Sequence, residues 1–494
     1  MEDDDYFHYM HSDDGDMTAD EQARFMYAYD YDFRDPDMAS QMYGGSTGTF
    51  NTWSQFAFTF PQCFYPTMYQ IIPLMMRTVG MALALRVAVL LRFPPTLVHM
   101  LSGGLGILAV WLQFGWPGIR AFVPFEALGY ATYRLSPRHR GPVTALFALT
   151  YLLTCEAFLY DAVRWHSWRG SLMIVAMKML SVSFDADGSR LPTDLSPVKH
   201  VGFCLSSVAV MFGPFMTYQT YEQILQRPPV TFGWIFAMVR LSVISFVCLV
   251  VSSCAIPYIL TESAHKWALA FSVAGAFHYS HYFVCYLSEL CAVAAGLGAR
   301  QRADGSWSWD GLPVVRMYNV ELPRSLVEVV TNWNIAMHVF LKNYVYKPTR
   351  HLGQFIAVLA TYFASSILHG LNFQLSAVLF SIGVFAYIEN GVRYKLAGCL
   401  DACIMARACK DGCEHHHKSS RIWVRLINLF FMALAMFHLA YLGVMFDNSQ
   451  NREMGHSMEH TLSKWRSLDF ASHIVAFAFY LLSVLLPTPK KKTA

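Results

Sequence analysis

Charge is what this chain has least of. Asp, Glu, Lys and Arg make up 14% of it and hydrophobic residues 55%, whereas soluble domains carry roughly 25% charged residues. That deficit excludes an ordinary water-soluble domain. Between His351 and Ile388 none of the four charged types occurs. Other absences narrow the chemistry. There is no paired carboxylate, no Gly-x-Ser-x-Gly elbow, no phosphate-cradling glycine loop and no kinase signature. The two halves show no internal repeat, and the chain does not open on the charged n-region and apolar core of a signal peptide.

What the chain has instead is long apolar runs, and a transmembrane helix needs about 20 mostly apolar residues. Candidate spans lie near 69–92, 95–116, 118–134, 141–161, 202–218, 233–258, 266–297, 326–345, 351–369, 371–388, 422–446 and 470–487. The apolar segment 172–184 is short for a crossing and is expected to be re-entrant. The reading is an all-α polytopic membrane protein with about eleven crossings, forming one membrane domain over 61–488. Residues 1–60 are expected to be a disordered acidic tail, because such composition buries too little apolar surface to order itself. Residues 489–494 form a basic tail.

The loop 389–421 carries Arg393, Lys395, Arg407, Lys410, Lys418 and Arg421, against Arg452, Lys464 and Arg466 in 447–469. Positive residues concentrate on the cytosolic side, so 389–421 and the C-terminus are expected in the cytosol. The terminal Lys490-Lys491-Lys492-Thr493-Ala494 is similar to a dilysine retrieval signal and equally fits a positive-inside anchor. Either way the endoplasmic reticulum is the expected compartment. The cytosolic loop holds Cys399, Cys403, Cys409 and Cys413, followed by Glu414-His415-His416-His417. Three readings of it stay open: zinc ligands, S-acylation sites, or free thiols in a reducing compartment.

His369 stands inside the uncharged stretch. An ionisable side chain at membrane depth is costly and by default serves a function facing an interior cavity. The alternative is a histidine hydrogen-bonded between helices. Upstream, Asn332-Trp333-Asn334 places amides at the entry of an apolar run, and two antiparallel helices would bring Asn334 to His369. A buried histidine beside an amide suits general-base removal of a proton from a hydroxyl, with the amide N–H steadying an oxyanion. An acyl thioester is the matching activated substrate. A transporter using His369 as a proton relay is the competing reading.

The runs Val320-Glu321-Leu322-Pro323-Arg324-Ser325, Val329-Val330-Thr331-Asn332-Trp333-Asn334, Asn343-Tyr344-Val345-Tyr346-Lys347 and Ser366-Ile367-Leu368-His369-Gly370 resemble the membrane-bound O-acyltransferase family. The likeness extends to Trp165-His166, Arg169-Gly170, Phe184-Asp185, Asp187, Phe212-Gly213-Pro214 and Phe437 to Gly443. More narrowly, it points to the branch that attaches palmitoleate to a serine of Wnt proteins. The resemblance implies a helical bundle around a catalytic tunnel, with palmitoleoyl-CoA entering from the cytosol and the Wnt serine from the lumen. It implies His369 as catalytic base, Asn334 as its polar partner, and no bound cofactor, catalytic metal or nucleic acid. Membrane lipids surround the bundle, and a lipid acceptor within the same family is the other outcome. One departure is Gln374, where relatives carry histidine.

Lys342, Lys347 and Arg350 are candidates to meet the phosphates of the donor, or are simply positive-inside anchors. Trp333 and Tyr346 are assigned to the donor site with them, packing in helix interfaces or the aromatic belt being their other reading. Arg169, Asp185 and Asp187 are expected to shape the tunnel. His166, His438 and Tyr441 are expected to make helix–helix hydrogen bonds.

Overall fold

The computed structural model describes residues 52–256, 265–410, 412–446 and 458–488. The described residues are almost entirely helical: α1 (Thr52–Leu90), α2 (Pro95–Leu135), α3 (Arg140–Thr154), α4 (Ala162–Asp187), α5 (Pro197–Cys204), α6 (Tyr218–Glu222), α7 (Phe232–Val250), α8 (Lys266–Ala294), α9 (Tyr318–Glu321), α10 (Leu326–Trp333), α11 (Ile335–Leu341), α12 (Lys347–Thr349), α13 (Gln354–Leu368), α14 (Phe373–Leu400), α15 (Ile422–Gly443), α16 (Met458–Ser467) and α17 (Ala471–Leu485). A two-residue hairpin, Arg300–Gln301 against Trp307–Ser308, is the sheet among them. The expected acidic tail over 1–60 is too long at its C-terminal end, since α1 already begins at Thr52. The rest of that tail and the basic end 489–494 lie outside the described residues.

Helix α7 shows why these helices belong in hydrocarbon. Ala237, Leu241, Ser245 and Cys248 are buried, while Phe236, Val239, Val243 and Val247 are exposed. Positions three and four apart share a helix face, so one face packs on protein and the other presents an apolar stripe. A stripe of that kind is unfavourable in water and fitted to lipid. Among the described residues six helices are long and apolar enough to cross a membrane, or seven if the pair Met458–Ser467 and Ala471–Leu485, bent by 75°, counts as one span. The expected eleven is therefore not reached by this criterion.

The difference has physical causes. Spans 95–116 and 118–134 are two arms of one helix, α2, broken at Gly115, whose φ of 62° and ψ of −157° no ordinary L-residue adopts easily. The expected re-entrant segment 172–184 is instead the centre of the 26-residue α4. That centre is buried almost throughout, and its Lys178 donates to the Phe203 carbonyl at 3.1 Å. A helix surrounded by protein tolerates such a group where lipid would not. The expected span 202–218 is helical only to Cys204. Beyond it the chain turns irregularly against α2, with Ser207 N donating to the Ser102 carbonyl at 3.1 Å. Irregular backbone at membrane depth must be buried in protein, and Leu205 to Met211 are buried.

The expected span 326–345 breaks at Asn334 into α10 and α11. Just before that break, Glu389 Oε2 accepts the Leu326 amide at 2.8 Å at the start of α10. The buried Arg393 guanidinium, counted from the sequence among the cytosolic loop charges of 389–421, is an internal hub. It donates to the carbonyls of Arg324 (2.8 Å), Ile404 (2.8 Å) and Met405 (3.1 Å) and to Asn428 Oδ1 (2.7 Å). Cys63 and Cys254 form a disulfide with Cα atoms 5.7 Å apart, joining α1 to the π-helical end of α7 across 191 residues.

Candidate active site

Helix α13 has 15 residues, which at 1.5 Å per residue is about 22 Å, less than the roughly 30 Å hydrocarbon thickness. It ends inside the bundle at His369, the residue that caps it. The chain then turns through Gly370 and restarts as α14, whose first turn is capped by Asn372 Oδ1 accepting Leu375 N at 3.2 Å. His369 is only partly enclosed, and among the described residues its imidazole makes no hydrogen bond. The reading of a histidine bonded between helices is not what the structure shows.

The turn is held from below by an ion pair. Arg169 Nη1 lies 3.6 Å from Glu156 Oε1, both side chains largely buried, and Glu156 Oε1 accepts Leu371 N at 3.0 Å. Gly370 has φ of 90°, and a Cβ there would lie 2.6 Å from Glu156 Oε2 and 2.7 Å from Arg169 Nη1. Only glycine fits both constraints. Gly370→Ala is expected to destabilise the fold by about 1–3 kcal/mol and to lower activity by displacing His369, as thermal unfolding and transfer rates would show.

Asn334 has extended backbone (φ −144°, ψ 91°), and its Oδ1 accepts Met337 N at 3.0 Å, capping α11. On either side the backbone is pinned, Arg316 N to the Asn332 carbonyl at 3.1 Å and Ile335 N to the Val314 carbonyl at 2.8 Å. Because the oxygen is committed to the cap, the orientation of the amide is fixed. Its Nδ2 hydrogens have no partner among the described residues. Asn334 is thus a helix cap and a spare donor at once.

Two further features relate Asn334 to His369. Met337, in the first turn after Asn334, and Leu368, next to His369, belong to one apolar cluster with Met173, Met177 and Phe340. His281 on α8 contacts the residue before Asn334. Its ring stacks on Trp333, centroids 4.4 Å apart and planes 2° apart, and its Nε2 donates to the Trp333 carbonyl at 3.0 Å. His281 also belongs, with Arg169, to the electrostatic surroundings of His369. A carbonyl only accepts, so Nε2 carries the proton and Nδ1 is left as acceptor. Sequence reasoning missed His281, although the signal that singled out His369, an imidazole in an apolar helix, applied equally to it. Glu156 was missed too.

Trp333 is therefore a packing residue, with Phe277, His278 and Tyr282 around it as well. His278 Nδ1 meets Glu321 Oε1 at 3.1 Å, and the Tyr282 hydroxyl donates to the same oxygen at 2.6 Å. A cavity of about 270 Å³ opens beside that pair, walled mainly by apolar residues such as Ala274 and Leu439.

Lys342, Lys347 and Arg350 are exposed, on the turns that follow α11. Lys347 donates to Asn343 Oδ1 at 2.9 Å, and Tyr346 is half-buried. Of the residues expected to shape a tunnel, Arg169 adjoins the His369 turn, and Asp185 pairs with Arg190 (2.8 Å) and the Tyr344 hydroxyl (3.0 Å). Asp187 instead caps a helix, its carboxylate accepting Arg140 N and Gly141 N at 3.1 and 2.8 Å at the start of α3. His438 bonds Ser472 Oγ at 2.8 Å, and the Tyr441 hydroxyl bonds His473 Nδ1 at 2.9 Å, both between helices as expected. His166 differs, bonding the Ala162 carbonyl within its own helix. Gln374 is buried and donates to the Met445 carbonyl, so at this position the side chain ties two helices together.

His369, an unbonded imidazole at the turn between α13 and α14, and Asn334, a capping amide whose Nδ2 has no partner among the described residues, belong to one polytopic helical bundle. The sequence profile of the membrane-bound O-acyltransferase family matches residues 142–395, which includes both His369 and Asn334. The chain belongs to that family and is an acyltransferase. It is 36% identical over 450 residues to the human protein-serine O-palmitoleoyltransferase porcupine, covering 86% of this chain and 96% of that one. The mouse protein of the same name is 40% identical over 370 residues, 70% of this chain and 80% of its own. The Anopheles gambiae one is 33% identical over 368 residues, covering 69% and 74%.

Proposed function

We propose that this acyltransferase moves a palmitoleoyl group from palmitoleoyl-CoA to a serine hydroxyl of Wnt proteins. The single observation that carries the chemistry is His369, a partly enclosed, unbonded imidazole at the turn between α13 and α14. The acceptor is supported by the likeness to porcupine proteins over most of the chain. His369 takes the proton of the serine hydroxyl as its oxygen attacks the thioester carbonyl. The Nδ2 hydrogens of Asn334 orient that carbonyl or receive the developing oxyanion. The C–S bond breaks, CoA leaves as thiolate, and the serine oxygen holds the acyl group. His281 positions Trp333 and hence Asn334, and the apolar cavity beside His278 suits hydrocarbon.

The orientation is part of the proposal. Lys266 pairs with Asp469, and Trp267 packs on Phe437 with centroids 4.8 Å apart. The start of α8 and the C-terminal end of α15 therefore share one face, and the Cys63–Cys254 disulfide sits at the chain end leading into α8. Helix α15 has 22 residues, so it carries the chain about 33 Å from that face to the loop with the free thiols Cys399, Cys403, Cys409 and Cys413. Disulfides persist in oxidising compartments and thiols in reducing ones. This fits a lumenal disulfide face and a cytosolic cysteine loop in the endoplasmic reticulum membrane. Lys342, Lys347 and Arg350 would then offer charge to the CoA phosphates. Neutralising all three is expected to raise KM for palmitoleoyl-CoA about tenfold with kcat little changed, each pair being worth up to ~1 kcal/mol. Initial rates at low and high salt would check this.

The test of the acceptor is a competition. Purified protein with palmitoleoyl-CoA is given a Wnt-derived serine peptide and a lysophospholipid at equal concentration. Ester on the peptide is the expected product; acylation of the lysolipid alone would replace the acceptor.

A further inference from the structure

We propose that Cys403, Cys409, Cys413 and His415 bind a zinc ion that holds the 389–421 loop in shape. Their ligand atoms all lie within 4.8 Å of one another. Cys403 Sγ is 3.3 Å from Cys413 Sγ, while His415 Nδ1 is 3.6 Å from Cys409 Sγ and 4.0 Å from Cys403 Sγ. With Zn–S near 2.3 Å and Zn–N near 2.05 Å, a tetrahedral ion separates its ligand atoms by about 3.6–3.8 Å. Three thiols and an imidazole gathered within about an ångström of that spacing suit zinc better than a hard cation, which takes oxygen ligands. Cys399, nearest in sequence to make a fourth thiolate, is exposed and outside the cluster. The ligand set is therefore three thiolates and one imidazole.

Three thiolates leave the site with one net negative charge, and Lys418 answers it, its Nζ 3.6 Å from Cys413 Sγ. The surrounding loop is already closed on itself: Cys403 N donates to the His417 carbonyl and His417 N to the Asp401 carbonyl, both at 2.9 Å. Binding would release the thiol protons.

The loop also bears on the active site. Arg324 donates to the carbonyls of Cys403 (2.7 Å) and Met405 (3.0 Å), and Ser325 Oγ to that of Ala406 (2.9 Å). Ser325 is the N-cap of α10, the helix that ends at Asn334. A zinc-ordered 403–406 segment thus fixes the start of the helix that delivers the amide.

The full-length protein, purified in detergent without chelator, is to be assayed for zinc by inductively coupled plasma mass spectrometry. About one zinc per chain is expected; it falls to background in Cys413→Ser and His415→Ala and stays in Cys399→Ser. To separate ligand loss from misfolding, wild-type protein is treated with a mercurial in the presence of a colorimetric zinc indicator, and stoichiometric release is expected. Zinc at background in the wild-type protein, even after incubation with zinc, would overturn the proposal. So would a peptide map joining Cys403 to Cys413 by a disulfide, or zinc retained by Cys413→Ser and His415→Ala.

Discussion

His369→Ala is expected to reduce acyl transfer to a serine peptide by at least about 10²–10⁴-fold, the usual contribution of a positioned general base. Binding of palmitoleoyl-CoA should persist, because the proposed mechanism assigns no part in holding the donor to His369. The fold should persist as well, since among the described residues the imidazole bonds to nothing. The backbone of the turn is held instead by His369 N to the Ser365 carbonyl at 3.1 Å and by Leu371 N to Glu156. Peptide acylation by mass spectrometry, donor binding by fluorescence and thermal unfolding separate these outcomes. Transfer at the wild-type rate would remove His369 from the mechanism, whereas loss of binding and stability together would make it a structural residue.

Asn334 carries the second large effect, and its two ends can be tested apart. Asn334→Ala loses both the cap, typically ~1 kcal/mol of stability, and the donor, about 10²–10³-fold in rate if it serves the oxyanion. Asn334→Asp keeps an oxygen for Met337 N, so stability should stay near wild type. It replaces the Nδ2 donor with negative charge, so the rate should fall at least as far as in the alanine variant. In both, KM for the donor should change little, because the contact tightens in the transition state. Stability lost with the rate intact in Asn334→Ala would reduce Asn334 to a cap.

The candidate site was legible where it departed from its surroundings. His369 stood out because nothing charged accompanies it for many residues, and Asn334 because amides interrupt an apolar run. Legibility failed wherever burial by protein imitates burial by lipid. Hydropathy marks α4 and the irregular segment after Cys204 as membrane-compatible, yet both are enclosed by other helices, which composition cannot register. It also read 326–345 as one span, since the helix break depends on Asn334 capping α11 and on Val314 pairing with Ile335. The roles of Glu156, Arg393 and the Cys63–Cys254 pair rest on contacts between residues far apart in the chain. Asp187 was expected to shape the tunnel because it adjoins the segment read as re-entrant; that segment is helical, and the carboxylate meets the α3 amides instead.

The most direct test is the fate of a labelled acyl group. Purified wild-type protein is mixed with radiolabelled palmitoleoyl-CoA and either a Wnt-derived serine peptide or its alanine counterpart, and the reaction is quenched over the first turnovers. The expected result is label on the serine peptide that resists neutral hydroxylamine and is released by alkali, appearing as CoA is released, and none on the alanine peptide. Label on both peptides, or on lipid with neither peptide acylated, would contradict transfer to a serine hydroxyl activated by His369.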